Sequence, residues 1–151
     1  MKLKIKYLPN YDLNWGKLSY ANPFDAGLDL RAAIDAPKTL APNERAVIPN
    51  GIACEMQAPS SDYEIQVRPR SGLAAKKGIT LVNAPGTIDW AYRGEIMSIL
   101  LNTGTEPFTI NPGDRIAQMV ICPIIHPEIE ETDSLSDTTR GTDGFGSSGT
   151  N

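Results

Sequence analysis

Apolar and polar residues alternate over much of the chain. Leu3, Ile5 and Tyr7 alternate with Lys2, Lys4 and Lys6. Leu28, Leu30, Ala32 and Ile34 flank Asp29 and Arg31, and Tyr63, Ile65 and Val67 flank Glu64, Gln66 and Arg68. A period of two predicts strands with one buried face. Two later runs, EIMSILLN and RIAQMVICPII, are more continuously apolar and predict central strands buried on both faces. Turn signals separate these runs: APN at 41–43, NG at 50–51, SG at 71–72, APG at 84–86 and NPGD at 111–114. Asn50-Gly51 predicts a hairpin, since both residue types tolerate positive φ. Many short strands between regular turns predict an all-β sandwich, barrel or jelly roll. A single short helix is expected at SGLAAKKG, with Ser71 as N-cap and Gly78 just past the end. Beyond Pro127 the period is lost. EIEETDSLSDTT reads as a solvated polar linker over 128–139, joining a β-rich core at 1–127 to a Gly-rich tail at 140–151.

A chain of 151 residues fits one domain with a sizeable core. Only 7% of it is aromatic, so that core must rest on Ile, Leu, Val and Ala. The net charge of -4 argues against non-specific nucleic-acid or anionic-membrane binding, so neither partner is expected. A small anion remains open, because a pocket needs only a local cluster. Cys54, Cys122 and the single His126 show no metal-ligand spacing, and the thiols read as free and buried. MKLKIKYL lacks the unbroken apolar run of a signal peptide, and no stretch is apolar for long enough to span a bilayer. A soluble cytoplasmic protein is expected.

Five stretches could carry chemistry. RPRSGLAAKKG places Arg68, Arg70, Lys76 and Lys77 together without an acid. Ser71 and Gly72 would open a helix whose N-terminus favours a phosphate chain, with Arg70 as a forked donor. The spacing is not that of a P-loop, and a capped surface helix with solvated lysines explains it equally well. In VNAPGTIDWAYRGE, Asp89 is a general base, a magnesium-side ligand or a turn residue. Asn83 and Tyr92 nearby could read a polar edge and lie against a sugar. AGLDLRA offers close backbone approach at Ala26 and Gly27, with Asp29 on the polar face. NPGDRIAQM flanks an apolar strand with Arg115 and Gln118, and Arg115 reads as an ion-pair partner of Asp114 or another acid. In RGTDGFGSSGTN, Phe145 could stack on a flat ring and Arg140, Ser147 and Ser148 could bind phosphate, against the plain reading of a disordered end.

Taken in order, AGLDL, PRSGLAAKKG, NAPGTIDWAYRGE, GDRIAQM and RGTDGFGSSG resemble the five motifs of the trimeric deoxyuridine triphosphatase (dUTPase) family. The resemblance runs from about Ala26 to the C-terminus. It implies a distorted jelly-roll or β-barrel-like subunit in a homotrimer, with each site lying between subunits and the tail closing as a lid over a neighbour. It implies that dUTP is split to dUMP and pyrophosphate with Mg2+ on the triphosphate. Asp89 then orients and deprotonates the water that attacks the α-phosphorus. Arg70, Ser71 and Gly72 resemble the phosphate cradle, and Asp29 the residue that holds the metal through water. Asn83 and the backbone from Thr87 and Ile88 to Met97 resemble the uracil and sugar slot, with Tyr92 against the ribose. Gln118 resembles a phosphate contact. Arg140 would reach the γ-phosphate, Phe145 would stack on uracil, and Gly146, Ser147 and Ser148 would complete the cover. The chain departs from the family at Trp90-Ala91, where a small residue and then an Asp are frequent. Two alternatives share the scaffold: a dCTP deaminase, which needs an acid or base near C4 where this chain has only Glu95, and a nucleotide-binding regulator without turnover.

Overall fold

The computed structural model describes residues 1–142 and 144. Eleven strands and one short α-helix follow one another: β1 Lys2–Tyr7, β2 Leu28–Arg31, β3 Lys38–Leu40, β4 Arg45–Pro49, β5 Ile52–Gln57, β6 Tyr63–Pro69, α1 Ser71–Lys77, β7 Ile79–Leu81, β8 Gly86–Ile88, β9 Met97–Asn102, β10 Phe108–Ile110 and β11 Arg115–Pro123. A 3-10 turn at Leu13–Trp15 precedes β2. Every strand pairing is antiparallel. The sheets run β2-β11-β6-β8, β4-β9-β7, β1-β5 and β10-β3.

The alternation predicted for β1, β2 and β6 is realised: their even or odd positions turn inward, and Leu30, Ile65 and Val67 are buried. Inner faces meet in one aliphatic cluster that includes Leu40, Ile52, Ile79, Leu100, Ile110 and Met119. Burying each such side chain contributes about 1.5–3 kcal/mol, so this core carries the fold.

Two expectations fail for physical reasons. β9 is not buried on both faces. Ser98, Leu100 and Asn102 turn inward, whereas Met97 is exposed and Ile99 and Leu101 are half-buried. Among the described residues no strand or helix covers its second apolar face fully. Asn50-Gly51 does not close a hairpin either, since β4 and β5 belong to different sheets. Gly51 takes φ 68°, while the buried Asn50 side chain donates to the Arg31 carbonyl at 2.8 Å and accepts from the Ser98 hydroxyl at 2.9 Å. The pair turns the chain from one sheet into the next.

α1 starts one residue earlier than its N-cap signal suggests. Arg70, not Ser71, occupies the cap with extended backbone and no side-chain capping bond. Its first internal bond runs from the Ala74 amide to the Arg70 carbonyl, so the amides of Ser71, Gly72 and Leu73 precede the ladder. Gly78 ends the helix in the left-handed region (φ 67°), as its position predicts. Cys54 and Cys122 are free thiols, Cys54 buried and Cys122 half-buried. No helix among the described residues is long and apolar enough to cross a membrane. Beyond β11, every residue from 125 to 142 is exposed and none forms helix or strand.

Candidate active site

β11 lies between β2 and β6, with Gln118 opposite both Asp29 and Arg68. A bulge between Arg115 and Ala117 adds one residue to β11. Three positions separate Arg115 from Gln118, which on a regular strand would put them on opposite faces. The bulge reverses that. Ile116 and Ala117 both turn into the core, and Arg115 joins Gln118 on the face that carries Asp29.

That face holds a compact ionic cluster. Asp29 Oδ1 lies 3.0 Å from Arg70 Nε, and Oδ2 lies 3.0 Å from Arg115 Nη1. Arg70 Nη1 also donates to the Arg115 carbonyl at 2.8 Å. Arg115 is therefore the predicted ion-pair partner of an acid, but the acid is Asp29. Asp114 instead accepts from Asn111 in the NPGD turn. Gln118 Nε2 donates to the Pro69 carbonyl at 2.9 Å, which ties β11 to the start of α1. A Cβ on Gly27 would fall 2.1 Å from Gln118 Oε1, so the Gln118 amide would have to shift from its place.

These residues open a concavity of about 320 Å³ lined by Asp25, Gly27, Asp29, Arg70, Ser71, Gly72 and Gln118 among others. Its cations and leading helix amides suit a chain of phosphate oxygens. Among the described residues a Cβ on Gly72 would meet nothing within 4 Å, so their packing does not demand glycine there. Asp25 was not legible as a lining residue, since its visible role is the turn bond from the Asn22 amide at 2.9 Å.

The VNAPGTIDWAYRGE stretch forms a separate group. Asn83 is exposed before β8, and its Nδ2 would lie 3.0 Å from a Cβ on Gly86. Thr87 and Ile88 close β8, Asp89 is exposed, and the Tyr92 amide donates to the Asp89 carbonyl at 3.0 Å. The Tyr92 hydroxyl donates to the Glu95 carbonyl at 2.9 Å. Where the family often has an Asp, this loop is held otherwise. Trp90 packs against the core, and Arg93 Nη1 donates to the carbonyls of Trp90 at 2.6 Å and Tyr92 at 2.9 Å. Glu95 Oε1 anchors the far end by accepting from Gly51 N at 2.8 Å and Asn10 Nδ2 at 2.9 Å. Met97 opens β9 and is exposed.

The two groups stand apart within one chain. Ile88 pairs with Ile65, so Asp89 lies one step further from the Pro69 end of β6. From Ile65 to Arg70 is roughly 17 Å of extended chain. None of Asn83, Thr87, Ile88, Asp89, Tyr92 and Met97 lines the Arg70 concavity. Arg140 is exposed in the C-terminal stretch. Phe145, Gly146, Ser147 and Ser148 lie outside the described residues.

Among the described residues, no group of three or more His, Cys, Asp or Glu side chains could hold a metal ion. The site therefore offers no protein cage. It does suit a magnesium ion carried by phosphates and water, which needs only one or two carboxylates. Asp29 retains lone pairs beyond the two its arginines engage.

Comparison with known proteins gives a consistent result. The family model described as dUTPase matches residues 14–149. The deoxyuridine 5'-triphosphate nucleotidohydrolase of Maricaulis maris (strain MCS10) is 51% identical over 150 residues, covering 98% of this chain and 96% of that protein. The dUTPase of Staphylococcus bacteriophage 80alpha, solved with dUPNHPP, superposes with a TM-score of 0.82 at 27% identity, covering 98% of both chains. The dUTPase of phage phi11 of S. aureus shares the fold, with a TM-score of 0.76 at 23% identity, covering 91% of this chain and 100% of that one. With its motifs in place and nearly its whole length matched, the chain belongs to the dUTPase family.

Proposed function

We propose that the protein works as a homotrimer of jelly-roll subunits that hydrolyses dUTP to dUMP and pyrophosphate. Each site takes its phosphate cradle from one chain and its uracil slot and base from the next. The observation that carries this reading is the separation of the two groups. A base must come within hydrogen-bond reach of its water, and that water must sit about 3–3.5 Å from phosphorus. Asp89 lies beyond the Ile88–Ile65 pair, which is itself roughly 17 Å of extended chain from Arg70, so the two cannot serve one phosphoryl group in one chain. The uncovered apolar side of the β4-β9-β7 sheet, with Val47, Met97 and Ile99, supports a subunit that buries more surface on assembly.

In this mechanism Asp89 accepts a proton from water as its oxygen bonds to the α-phosphorus. The bond from that phosphorus to the bridging oxygen breaks in line, and the electron pair leaves with pyrophosphate. Arg70 and the amides of Ser71 and Gly72 stabilise the departing charge, while Gln118 steadies the phosphate chain. Asp29 would hold Mg2+ through water, and the ion would neutralise the triphosphate. Asn83 and the backbone from Thr87 to Met97 match the uracil edge. Such a site can reject a base with the wrong donors by about 10⁴–10⁵. The Tyr92 ring, fixed through its hydroxyl, excludes a ribose 2′-hydroxyl. Arg140 and the tail, with Phe145, Gly146, Ser147 and Ser148, act as the lid over the γ-phosphate and uracil. The product dUMP serves dTMP synthesis, and removal of dUTP keeps uracil out of DNA. A cytoplasmic setting is part of this reading, supported by two free thiols.

Glu95 argues against deamination. Its carboxylate is committed to Gly51 and Asn10 and is half-buried in that role. The test is pyrophosphate release from dUTP, dTTP, dCTP and UTP side by side, with ammonia release from dCTP as the rival readout. Only dUTP should react. Asp89→Asn should keep nucleotide binding and lose about 10²–10⁴ in kcat. Unchanged turnover in that variant would remove Asp89 from the chemistry.

A further inference from the structure

Arg70 has two demands on it. In this structure it spends Nε on Asp29 and Nη1 on the Arg115 carbonyl. To serve the leaving phosphates it must turn at least part of that fork toward them. Asp29 would then be a half-buried carboxylate that has lost one of its two cationic partners. Breaking one side of such a pair is unfavourable unless another charge holds the acid.

The second charge is already placed. Arg115 binds the other oxygen, Oδ2, from the opposite side of Asp29. Asp29, like Ala21, lines two hollows. One is the phosphate concavity, and the other a smaller space of about 100 Å³ lined by Lys17, Arg31 and Arg115. Arg115 is not among the residues that line the phosphate concavity. Arg31 is engaged elsewhere, since its Nη1 donates to the Gly113 carbonyl at 2.8 Å. The bulge in β11 exists on the same few residues and has one clear consequence: it delivers Arg115 to this face.

We propose that Arg115 is a positioning residue for the reaction: it fixes and charge-balances Asp29 from behind, so that Arg70 can be handed from Asp29 to the incoming polyphosphate. Arg115 itself does not touch substrate. A lysine at this position keeps one charge-assisted bond to Oδ2 but not the planar fork. The inference rests on the dUTP-hydrolysis reading and concerns a residue whose role the family resemblance leaves open.

A double-mutant cycle on the full-length protein tests it. Arg115→Gln, Asp29→Asn and the double variant are compared for kcat, KM, equilibrium binding of the imido analogue dUpNHpp, and thermal midpoint. Arg115→Gln should lower kcat/KM and weaken analogue binding by about tenfold in the parent, and by about twofold or less when Asp29 is already Asn. The thermal midpoint should barely move, and Arg115→Lys should recover part of the loss. Equal losses in both backgrounds, or no loss in the parent, overturn the proposal. If Asp29→Asn turns over too slowly to measure, the binding arm decides in the same way, and if Arg115→Gln does not fold, Arg115→Lys completes the cycle. A parent protein that releases no pyrophosphate from dUTP would instead refute the functional reading on which the cycle rests.

Discussion

Gly72, inside α1, and Gly78, which caps its end, should respond in opposite ways to alanine. Gly78 sits in the left-handed region at φ 67°, which an L side chain enters at about 1–2 kcal/mol. A Cβ there would also fall 2.6 Å from Gly104 N and 2.9 Å from Gly104 Cα. Both are backbone atoms in a loop pinned by the Thr103 amide on the Gly78 carbonyl at 2.9 Å, so they cannot step aside. Overpacking of this kind adds about 1–3 kcal/mol. Gly78→Ala should therefore lose roughly 2–5 kcal/mol, or roughly 5–15 °C in thermal midpoint for a chain of this size. Gly72 is the reverse case. Nothing among the described residues lies within 4 Å of its missing Cβ, and its backbone is helical. Gly72→Ala should be neutral or stabilising by up to about 1 kcal/mol. It should nevertheless lose about 100-fold in kcat/KM, because the methyl group displaces the phosphate chain. The assay is thermal denaturation at one fixed protein concentration, with pyrophosphate release measured on the same samples. An unstable Gly72→Ala, or a Gly78→Ala as stable as its parent, would refute the reasoning.

Two further outcomes are expected. The fully buried Asn102 donates to the carbonyls of Leu40 at 3.0 Å and Glu106 at 2.8 Å and accepts from Gly104 N at 2.9 Å, so Asn102→Ala should lose about 3 kcal/mol or more in urea unfolding, by leaving buried groups unpaired. Burial pushes the Cys54 thiol above its ordinary 9.0, partly offset by Arg93, so the fold favours the neutral thiol. Its contribution to stability is present below about pH 9 and declines as pH rises further. A thiol reagent such as DTNB should modify Cys54 slowly at pH 8 in the folded protein and quickly in urea.

How far the fold could be read from the sequence depended on how local each signal was. The strands at 2–7, 28–31 and 63–69 declared themselves by alternation, since one side of each faces the core. The helix at 71–77 was marked by the glycine that ends it. Asn50 looked like a turn residue, yet its side chain points inward and binds the Arg31 carbonyl, a use that depends on a partner in another strand. The bulge in β11 hid which acid Arg115 meets, because the regular period places its side chain on the face away from Asp29. β9 was misjudged because its apolar residues continue onto a face that the described residues leave exposed or half-buried. The motifs announced the site's components, but pairings such as Asp29 with Arg70 and Arg115 exist only after the sheet has formed.

Subunit complementation addresses the shared site most directly. Chains carrying Arg70→Ala keep Asp89, and chains carrying Asp89→Asn keep Arg70. Each variant alone should be nearly inactive. After denaturation and refolding as an equal mixture, a cradle and a base drawn at random from neighbouring chains are both intact in about one quarter of sites. Pyrophosphate release from dUTP should then return to about one quarter of the parent rate. A refolded mixture no more active than its separate components would contradict a site shared between chains.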